Sequence, residues 1–215
     1  MAIKKKFIVV DDHPLYRTGI SALINQELGF DCVGEASSPQ EALELVSSSR
    51  PDFAIVDISL RDQNGLTLVS TLKSMYPELL MLVVSMHEET IYGERAIKSG
   101  ARGYVMKHQP PEELIGAIRQ VLNGSIAVSD TLKTRLFESM MCGKDSIDPV
   151  QALSGREFEV FSLIGKGYSA NEIAERLTLS VKTINTYQDH IKEKLRIASA
   201  AELRRFALGW SNRND

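Results

Sequence analysis

The apolar residues follow two different patterns, and the change falls near residue 124. In the first part, short unbroken apolar runs alternate with segments of helical spacing. The plainest run is Phe53, Ala54, Ile55 and Val56, led by Arg50, Pro51 and Asp52 and closed by Asp57. Such a run reads as a strand buried on both faces, as in a parallel sheet between helix layers. Lys6 to Val10 is a similar run ending at Asp11 and Asp12, and Cys32 to Ala36 is a weaker one. Leu79 to Val84 ends at Ser85, and Gly103 to Met106 ends at Lys107. Helical spacing lies between the runs. Pro14 to Leu28 places Leu15, Ile20, Leu23, Ile24 and Leu28 on a helix stopped by Gly29. Ser38, Pro39, Gln40 and Glu41 match a capping box with proline in the first turn, opening a helix to Ser48. Asn64 and Gly65 make a turn before a helix from Leu66 to Met75; another near Thr90–Ser99 stops at Gly100, and a last one runs from Pro110 and Pro111 to Asn123 and Gly124. Five strands, each followed by a helix, predict a (βα)5 doubly wound parallel α/β sheet over residues 1–124.

The alternation then stops. Residues 125–151 read as a linker with one helical piece carrying Leu132, Leu136 and Phe137; a Met140-Met141-Cys142-Gly143 cluster there leads to a polar stretch ending at Asp148 and Pro149. That cluster fits packing better than redox chemistry. From residue 152 on, the spacing is helical with no strand signal, which predicts an all-α unit of four helices. Three further boxes mark helix starts, at Ser154–Glu157, Ser169–Glu172 and Ser199–Glu202, and Ser180 caps the remaining helix. The four apolar sets are Phe158, Val160, Phe161, Leu163 and Ile164; Ile173, Ala174 and Leu177; Val181, Ile184, Ile191 and Leu195; and Leu203, Phe206 and Leu208. Two of these helices, parted only by Thr178 and Leu179, have helix-turn-helix dimensions.

A length of 215 residues accommodates two domains, and a composition of 43% hydrophobic and 25% charged residues supports packed cores rather than disorder. No apolar run reaches membrane-spanning length, and Met1 to Lys6 leads into a strand pattern rather than a signal peptide. Cys32 and Cys142 form no metal or redox motif, so a cytoplasmic location is expected. The net charge of −3 splits into a small negative excess before residue 125 and a small positive one after it, weak support for a nucleic-acid partner. His13, His87, His108 and His190 lack metal-ligand spacing and receive no role.

In an open parallel sheet, ligands bind beyond the carboxyl ends of the strands. That rule gathers Asp11, Asp12, Asp57, Ser85 and Lys107 at one rim. Taken singly, each has a plain structural reading: a helix cap, a turn residue, a solvated hydroxyl or a surface lysine. Together they describe a site. Clustered carboxylates repel one another unless a cation joins them, and hard oxygen ligands suit Mg²⁺. A lysine and a hydroxyl would serve a phosphoryl group, and a carboxylate can be the nucleophile that forms an acyl phosphate.

With these residues in place, 1–124 resembles the receiver domain of two-component response regulators. The resemblance implies that Asp57 accepts the phosphoryl group, that Ser85 is the switch hydroxyl and that Lys107 is the basic partner. It also implies Mg²⁺ held by Asp12 and Asp57 directly, by Asp11 through water and by a backbone carbonyl at Ser59, with Tyr104 as an aromatic switch that turns inward as Ser85 moves. His108 follows the lysine where many such domains have proline.

Residues 152–215 carry Leu153-Ser154-Gly155-Arg156-Glu157, Gly167-Tyr168-Ser169-Ala170-Asn171-Glu172-Ile173-Ala174, Ser180-Val181-Lys182-Thr183-Ile184 and Ile191-Lys192-Glu193-Lys194-Leu195. This segment resembles the LuxR-type DNA-binding domain, and the whole chain resembles a response regulator of the NarL/FixJ class. The resemblance implies that the Val181–Leu195 helix enters the major groove of double-stranded DNA. Lys182, Asn185, Thr186, Asp189 and Lys192 lie off its apolar face, with Thr183 and Ser169 as backbone contacts. Asn185 could read an adenine edge, while lysines neutralise phosphates. Tyr187 stands where the class often has histidine, and Asp189 either accepts from a cytosine amino group or repels phosphate.

The expected function is phosphorylation-controlled DNA binding and transcription, with a sensor histidine kinase as donor and a homodimer as the active form. Two other readings use the same residues. One is a phosphorylation-independent DNA-binding regulator. The other is an aspartyl-phosphate phosphatase, which wants a second aspartate two residues after the nucleophile; Ser59 stands there instead. A nucleotide-binding enzyme would need a glycine-rich loop after the first strand, and there is none.

Overall fold

The chain's first strand, β1 (Lys5–Val10), runs through the middle of a sheet, which is why Phe7, Ile8, Val9 and Val10 are all buried. The computed structural model describes residues 4–60, 63–141 and 149–214, which fall into two compact units divided after Lys144. In chain order the first unit adds α1 (Pro14–Gln26), β2 (Phe30–Ala36), α2 (Pro39–Ser49), β3 (Phe53–Asp57), β4 (Ser59–Leu60), β5 (Gln63–Asn64), α3 (Gly65–Met75), β6 (Leu80–Ser85), α4 (Glu89–Lys98), β7 (Gly103–Met106), α5 (Pro111–Leu122) and α6 (Asp130–Met141). Five strands pair in parallel in the order β2-β1-β3-β6-β7, and β4 and β5 form a small antiparallel pair. This is the doubly wound α/β sheet expected from the alternation of runs.

Alternate side chains of each strand serve opposite faces. One face carries Phe7, Val9, Phe53, Ile55, Leu82 and Val84, packed against Ile24 of α1 and Leu114, Ile118 and Val121 of α5. Phe53 stacks on Phe7 at 5.2 Å and meets Phe30 edge-on at 5.7 Å. The register Val10↔Val56, Asp57↔Val84 and Ser85↔Met106 brings the strand ends level, so the residues that follow them share one rim.

Several local expectations shift. α1 ends at Gln26, leaving Leu28 in the turn to Gly29, 99% exposed, while Leu15 at the other end is 91% exposed. The arc that reaches the core carries the expected Ile24, with Ile20 and Leu23 packed against the same cluster and Ser21 buried beside them. Ser38 does cap α2, but the Glu41 carboxylate accepts from the backbone N–H of Ser37, one residue before the cap. Residues 125–141 are more than a connector. Ala127 bridges Gly103 at the sheet edge, and α6 packs on α4 with Leu132 and Leu136 buried and Phe137 outside. Cys142 to Asp148 lie outside the described residues.

The second unit opens with a 3-10 turn, Pro149–Ala152, whose Val150 and the following Leu153 are buried, so its core starts before the expected residue 152. Four helices follow: α7 (Gly155–Gly165), α8 (Ala170–Leu177), α9 (Val181–Leu195) and α10 (Ala200–Asn214). Both capping boxes at Ser154/Glu157 and Ser169/Glu172 are complete. At the third, Glu202 accepts instead from Ala198 N–H, while its own N–H goes to the Ser199 hydroxyl. The core is aromatic. Trp210 lies edge-on to Phe158 at 5.3 Å and to Phe161 at 5.7 Å, and Phe206 lies 6.0 Å from Phe161. Trp210 and Ala207 take the inward place assigned to Leu208, which is partly exposed, as is Val181 at the start of α9.

One glycine holds the end of β3 in place. Gly65 starts α3, its N–H donates to the Ile58 carbonyl at 2.8 Å, and a methyl group on it would overlap the Asp57 carbonyl oxygen. Since backbone rather than a flexible side chain lies in the way, Gly65→Ala should destabilise the first unit by about 2–4 kcal/mol. Thermal unfolding checks this; an unchanged midpoint would show that the Asp57 turn relaxes freely.

Candidate functional site

The rim is built by four strand ends. Asp11 and Asp12 follow β1, Asp57 closes β3, Ser85 closes β6 and Lys107 follows β7. Asp11 and Asp57 are buried, and the Lys107 side chain is 5% exposed. Its ammonium bridges the two carboxylates, 2.6 Å from Asp11 Oδ2 and 2.8 Å from Asp57 Oδ2. The backbone holds it there: Lys107 N–H donates to the Ser85 carbonyl at 2.7 Å. Ser59 N–H donates to the second Asp57 oxygen at 3.2 Å. The Arg17 guanidinium fixes the β1–α1 turn through the Asp11 carbonyl at 2.6 Å.

Ligand atoms of Asp11, Asp12, His13 and Asp57 lie within 4.8 Å of one another. Three carboxylates against one ammonium leave two negative charges at the rim. A hard divalent cation matches both that surplus and the oxygen donors. The imidazole nitrogen of His13 is the unlike member of the set; it lies 2.8 Å from Asp12 Oδ1, on a side chain that is 65% exposed.

Ser85 and Tyr104 stand beside this cluster. The Ser85 hydroxyl accepts from His87 N–H at 3.2 Å, and the buried Tyr104 donates its hydroxyl to the His87 carbonyl at 2.8 Å. Burial raises the Tyr104 phenol above its ordinary range, with a hydrogen bond to Ser85 opposing it. The Tyr104 ring thus points inward, held by its hydroxyl on His87.

In the second unit, α8 and α9 are joined by Thr178, in the left-handed region at φ 56°, then Leu179 and the cap Ser180. Ile184 and Ile191 anchor α9 in the core. Lys182, Asn185, Thr186 and Asp189 are exposed and share one face, at spacings of three and four. The other candidates are partly engaged. Lys192 is held by Asp189 at 2.9 Å, and the Thr183 hydroxyl meets that of Ser180 at 2.8 Å. The Ser169 hydroxyl donates to Glu172 at 2.6 Å while capping α8. α9 is further tied to α7 by Lys194, 2.6 Å from the buried Glu157 carboxylate.

Residues 7–119 match the family model described as a response regulator receiver domain, and residues 151–207 match that of bacterial regulatory proteins of the luxR family. The oxygen regulatory protein NreC of Staphylococcus epidermidis is 37% identical over 94% of this chain and 96% of its own. This chain belongs to the response regulators. Specifically, it is of the NarL/NreC type, with a receiver and a helix-turn-helix domain of the LuxR kind, a family of DNA-binding transcription regulators. Solved structures agree. A LuxR-family response regulator from Aurantimonas superposes with a TM-score of 0.58 at 30% identity, covering 64% of this chain and 99% of its own. RcsB of Salmonella enterica, bound to promoter rprA in the presence of a phosphomimetic, superposes with a TM-score of 0.57 at 25% identity over 95% and 98%.

Three side chains at the regulator's rim were not singled out by sequence. The Tyr16 ring lies beneath Lys107, 4.5 Å from the ammonium. Its phenol is pushed up by burial and by Asp11 and Asp57. His13 joins the carboxylates, and His87 places Nε2 2.9 Å from Ser59 Oγ while its ring stacks on Tyr92 at 4.6 Å. His13 directly follows the acidic pair and His87 lies two residues past Ser85, so adjacency to a strand end was their only signal in the sequence. Tyr16 had none, because the helix that carries it is read from its apolar positions.

Burial pushes the Asp57 carboxyl up to about 6; Lys107 opposes this and Asp11 adds to it. A carboxyl raised on folding disfavours the folded state once it ionises. The penalty is complete above pH 6 and vanishes as pH falls toward the unfolded value near 4. Without divalent cation, Asp57→Asn should therefore be more stable than wild type at pH 7.5 by on the order of 1–3 kcal/mol. The gap should close by pH 4.5. Thermal unfolding in a chelator across that range measures it, and a gap independent of pH would contradict the assigned cause.

Proposed function

We propose that Asp57 is the phosphoacceptor of this regulator and that its phosphorylation controls DNA binding by α9. The observation that carries this reading is the Lys107 bridge between the buried Asp57 and Asp11 carboxylates. It leaves a nucleophilic oxygen beside a fixed cation at the end of a parallel strand. In the transfer, an Asp57 carboxylate oxygen attacks the phosphorus of a phosphohistidine on a sensor kinase, or of a small acyl phosphate. The P–N or P–O bond breaks, and the imidazole or carboxylate leaves with the electron pair. Lys107 then balances one phosphoryl oxygen and Ser85 hydrogen-bonds another.

Asp12, Asp57 and the Ser59 carbonyl would hold Mg²⁺, with Asp11 acting through water. When bound, the cation neutralises charge that builds up on the transferring oxygens. On the helical unit, Asn185 reads a base edge, with Thr186 and Asp189 on the same face; Lys182 and Lys192 meet phosphates, and Thr183 and Ser169 contact the backbone. Two copies acting as a homodimer would place two α9 helices on two half-sites. We place the chain in the cytoplasm with its DNA target; separately, no described helix is long and apolar enough to cross a membrane.

It is not an enzyme in the sense of turning over a substrate. Ser59, two residues past Asp57, offers no acid/base for rapid hydrolysis, and its hydroxyl is engaged with His87. Intact-mass measurement of the full chain with Mg²⁺ and acetyl phosphate tests the acceptor. One phosphoryl adduct is expected on wild type and none on Asp57→Asn. An adduct on both proteins, or sustained release of phosphate from a small phosphomonoester, would overturn the reading.

A further inference from the structure

The helical unit carries a second basic feature beside the exposed face of α9. A cleft of about 440 Å³ opens between the end of α7, the start of α8, the middle of α9 and the first half of α10. That is far larger than the voids that packing leaves between side chains. The buried Ile164 and Leu203 form its floor, and Tyr168, Gln188, Arg204 and Arg205 its polar side. Among the described residues that line it there is no aspartate or glutamate. The acidic residues in the first turns of α8 and α10 are occupied by their own caps: Glu172 accepts from Ser169, and Glu202 from the Ala198 N–H. Arg204 and Arg205 are exposed, and neither makes an ion pair or a side-chain hydrogen bond among the described residues. A third cation stands at the edge, where the Arg176 guanidinium lies 4.1 Å from the centre of the Tyr168 ring. Adjacent guanidiniums repel one another, and an anion from outside the chain offsets that repulsion.

The position of the cleft identifies the anion. On α9, Gln188 comes three residues after Asn185 and four before Lys192, so the three share one flank of the helix. On α8, the lining residue Ala170 directly follows Ser169, the cap proposed to touch the DNA backbone. The cleft thus opens beside a residue assigned to a base edge and two assigned to the sugar–phosphate chain. A DNA strand that leaves the groove along this flank brings its phosphates to Arg204 and Arg205. Ala201 and the partly exposed Leu208 give its sugars an apolar surface.

We propose that Arg204 and Arg205 are a phosphate clamp on α10, holding the DNA strand that borders the groove entered by α9. The inference rests on the proposed placing of α9 in that groove. A guanidinium fork matches two phosphate oxygens, which makes arginine the stronger choice for such a contact. Phosphate contacts fix register and carry no base information. The pair therefore sets how tightly the unit sits on DNA, and leaves the choice of sequence to α9.

The test measures the affinity of the full chain for a selected DNA site and for a random duplex of equal length, over a range of KCl concentrations. Each lost phosphate contact lowers the slope of log affinity against log salt by about 0.9. Arg204→Gln/Arg205→Gln should bind both duplexes several-fold more weakly, with a slope shallower by about 1.8, and keep the wild-type thermal midpoint. Arg204→Lys/Arg205→Lys keeps the charge without the fork and should recover most of the slope. Arg156→Gln removes one charge at the opposite end of α7 from Ile164 and should keep the wild-type slope. An unchanged slope in the double glutamine protein overturns the clamp, as does an equal fall per charge in Arg156→Gln. Asn185→Ala, measured alongside, should lose most of its preference for the selected site. If it does so while the arginine variants match wild type, the clamp alone is refuted. If it keeps that preference, the placing of α9 fails and the clamp with it.

Discussion

Burying one ammonium between two carboxylates is the constraint on which the first unit depends. Lys107 is almost fully withdrawn from water, as are its partners Asp11 and Asp57. Removing the ammonium from such a buried set typically costs about 3–5 kcal/mol, because two carboxylates are left uncompensated. All three groups must therefore arrive together, and the parallel register makes that possible. The β1–β3–β6–β7 pairings set the strand ends level, Gly65 lets α3 close against the Asp57 turn, and Lys107 is tied to Ser85 through the backbone.

The same constraint leaves the rim short of positive charge. The ammonium does not neutralise the site, and burial lifts Asp57 despite it. A group held in an unfavourable ionisation state responds strongly to added charge, whether from a divalent cation or a phosphoryl group. Ser85, His87 and Tyr104 surround that point through hydrogen bonds of 2.8–3.2 Å, and they lead into α4 and β7. Charge at one carboxylate is thereby linked to the placement of a helix and a sheet edge.

Much of this is legible in the sequence. The unbroken run Phe53–Val56 marked a central strand because a parallel sheet buries both faces, and the ordered strand ends collected Asp11, Asp12, Asp57, Ser85 and Lys107. What was not legible was tertiary. Leu15 and Leu28 were counted as core because spacing alone does not show where a helix stops or which arc it buries. Trp210 was passed over in favour of Leu208 for the same reason. Residues 125–151 read as a linker with one helical piece, because spacing shows the helix over Leu132, Leu136 and Phe137 but not that the two leucines turn onto α4 while Phe137 stays outside. Glu41 and Glu202 satisfied the capping-box spacing, yet each accepts one residue further upstream, a choice of rotamer rather than of sequence.

As proposed, charge at Asp57 sets the affinity of α9 for DNA. The most direct test of this is the DNA affinity of the full chain at fixed salt, with Mg²⁺ present, with and without beryllofluoride as a phosphoryl mimic. A sequence-specific site selected with the same protein serves as the probe. Binding should tighten with the mimic by about tenfold or more, a coupling of about 1.4 kcal/mol, and should not change in the Asp57→Asn protein. Equal affinity in both states, with the mimic shown to be bound, would contradict it.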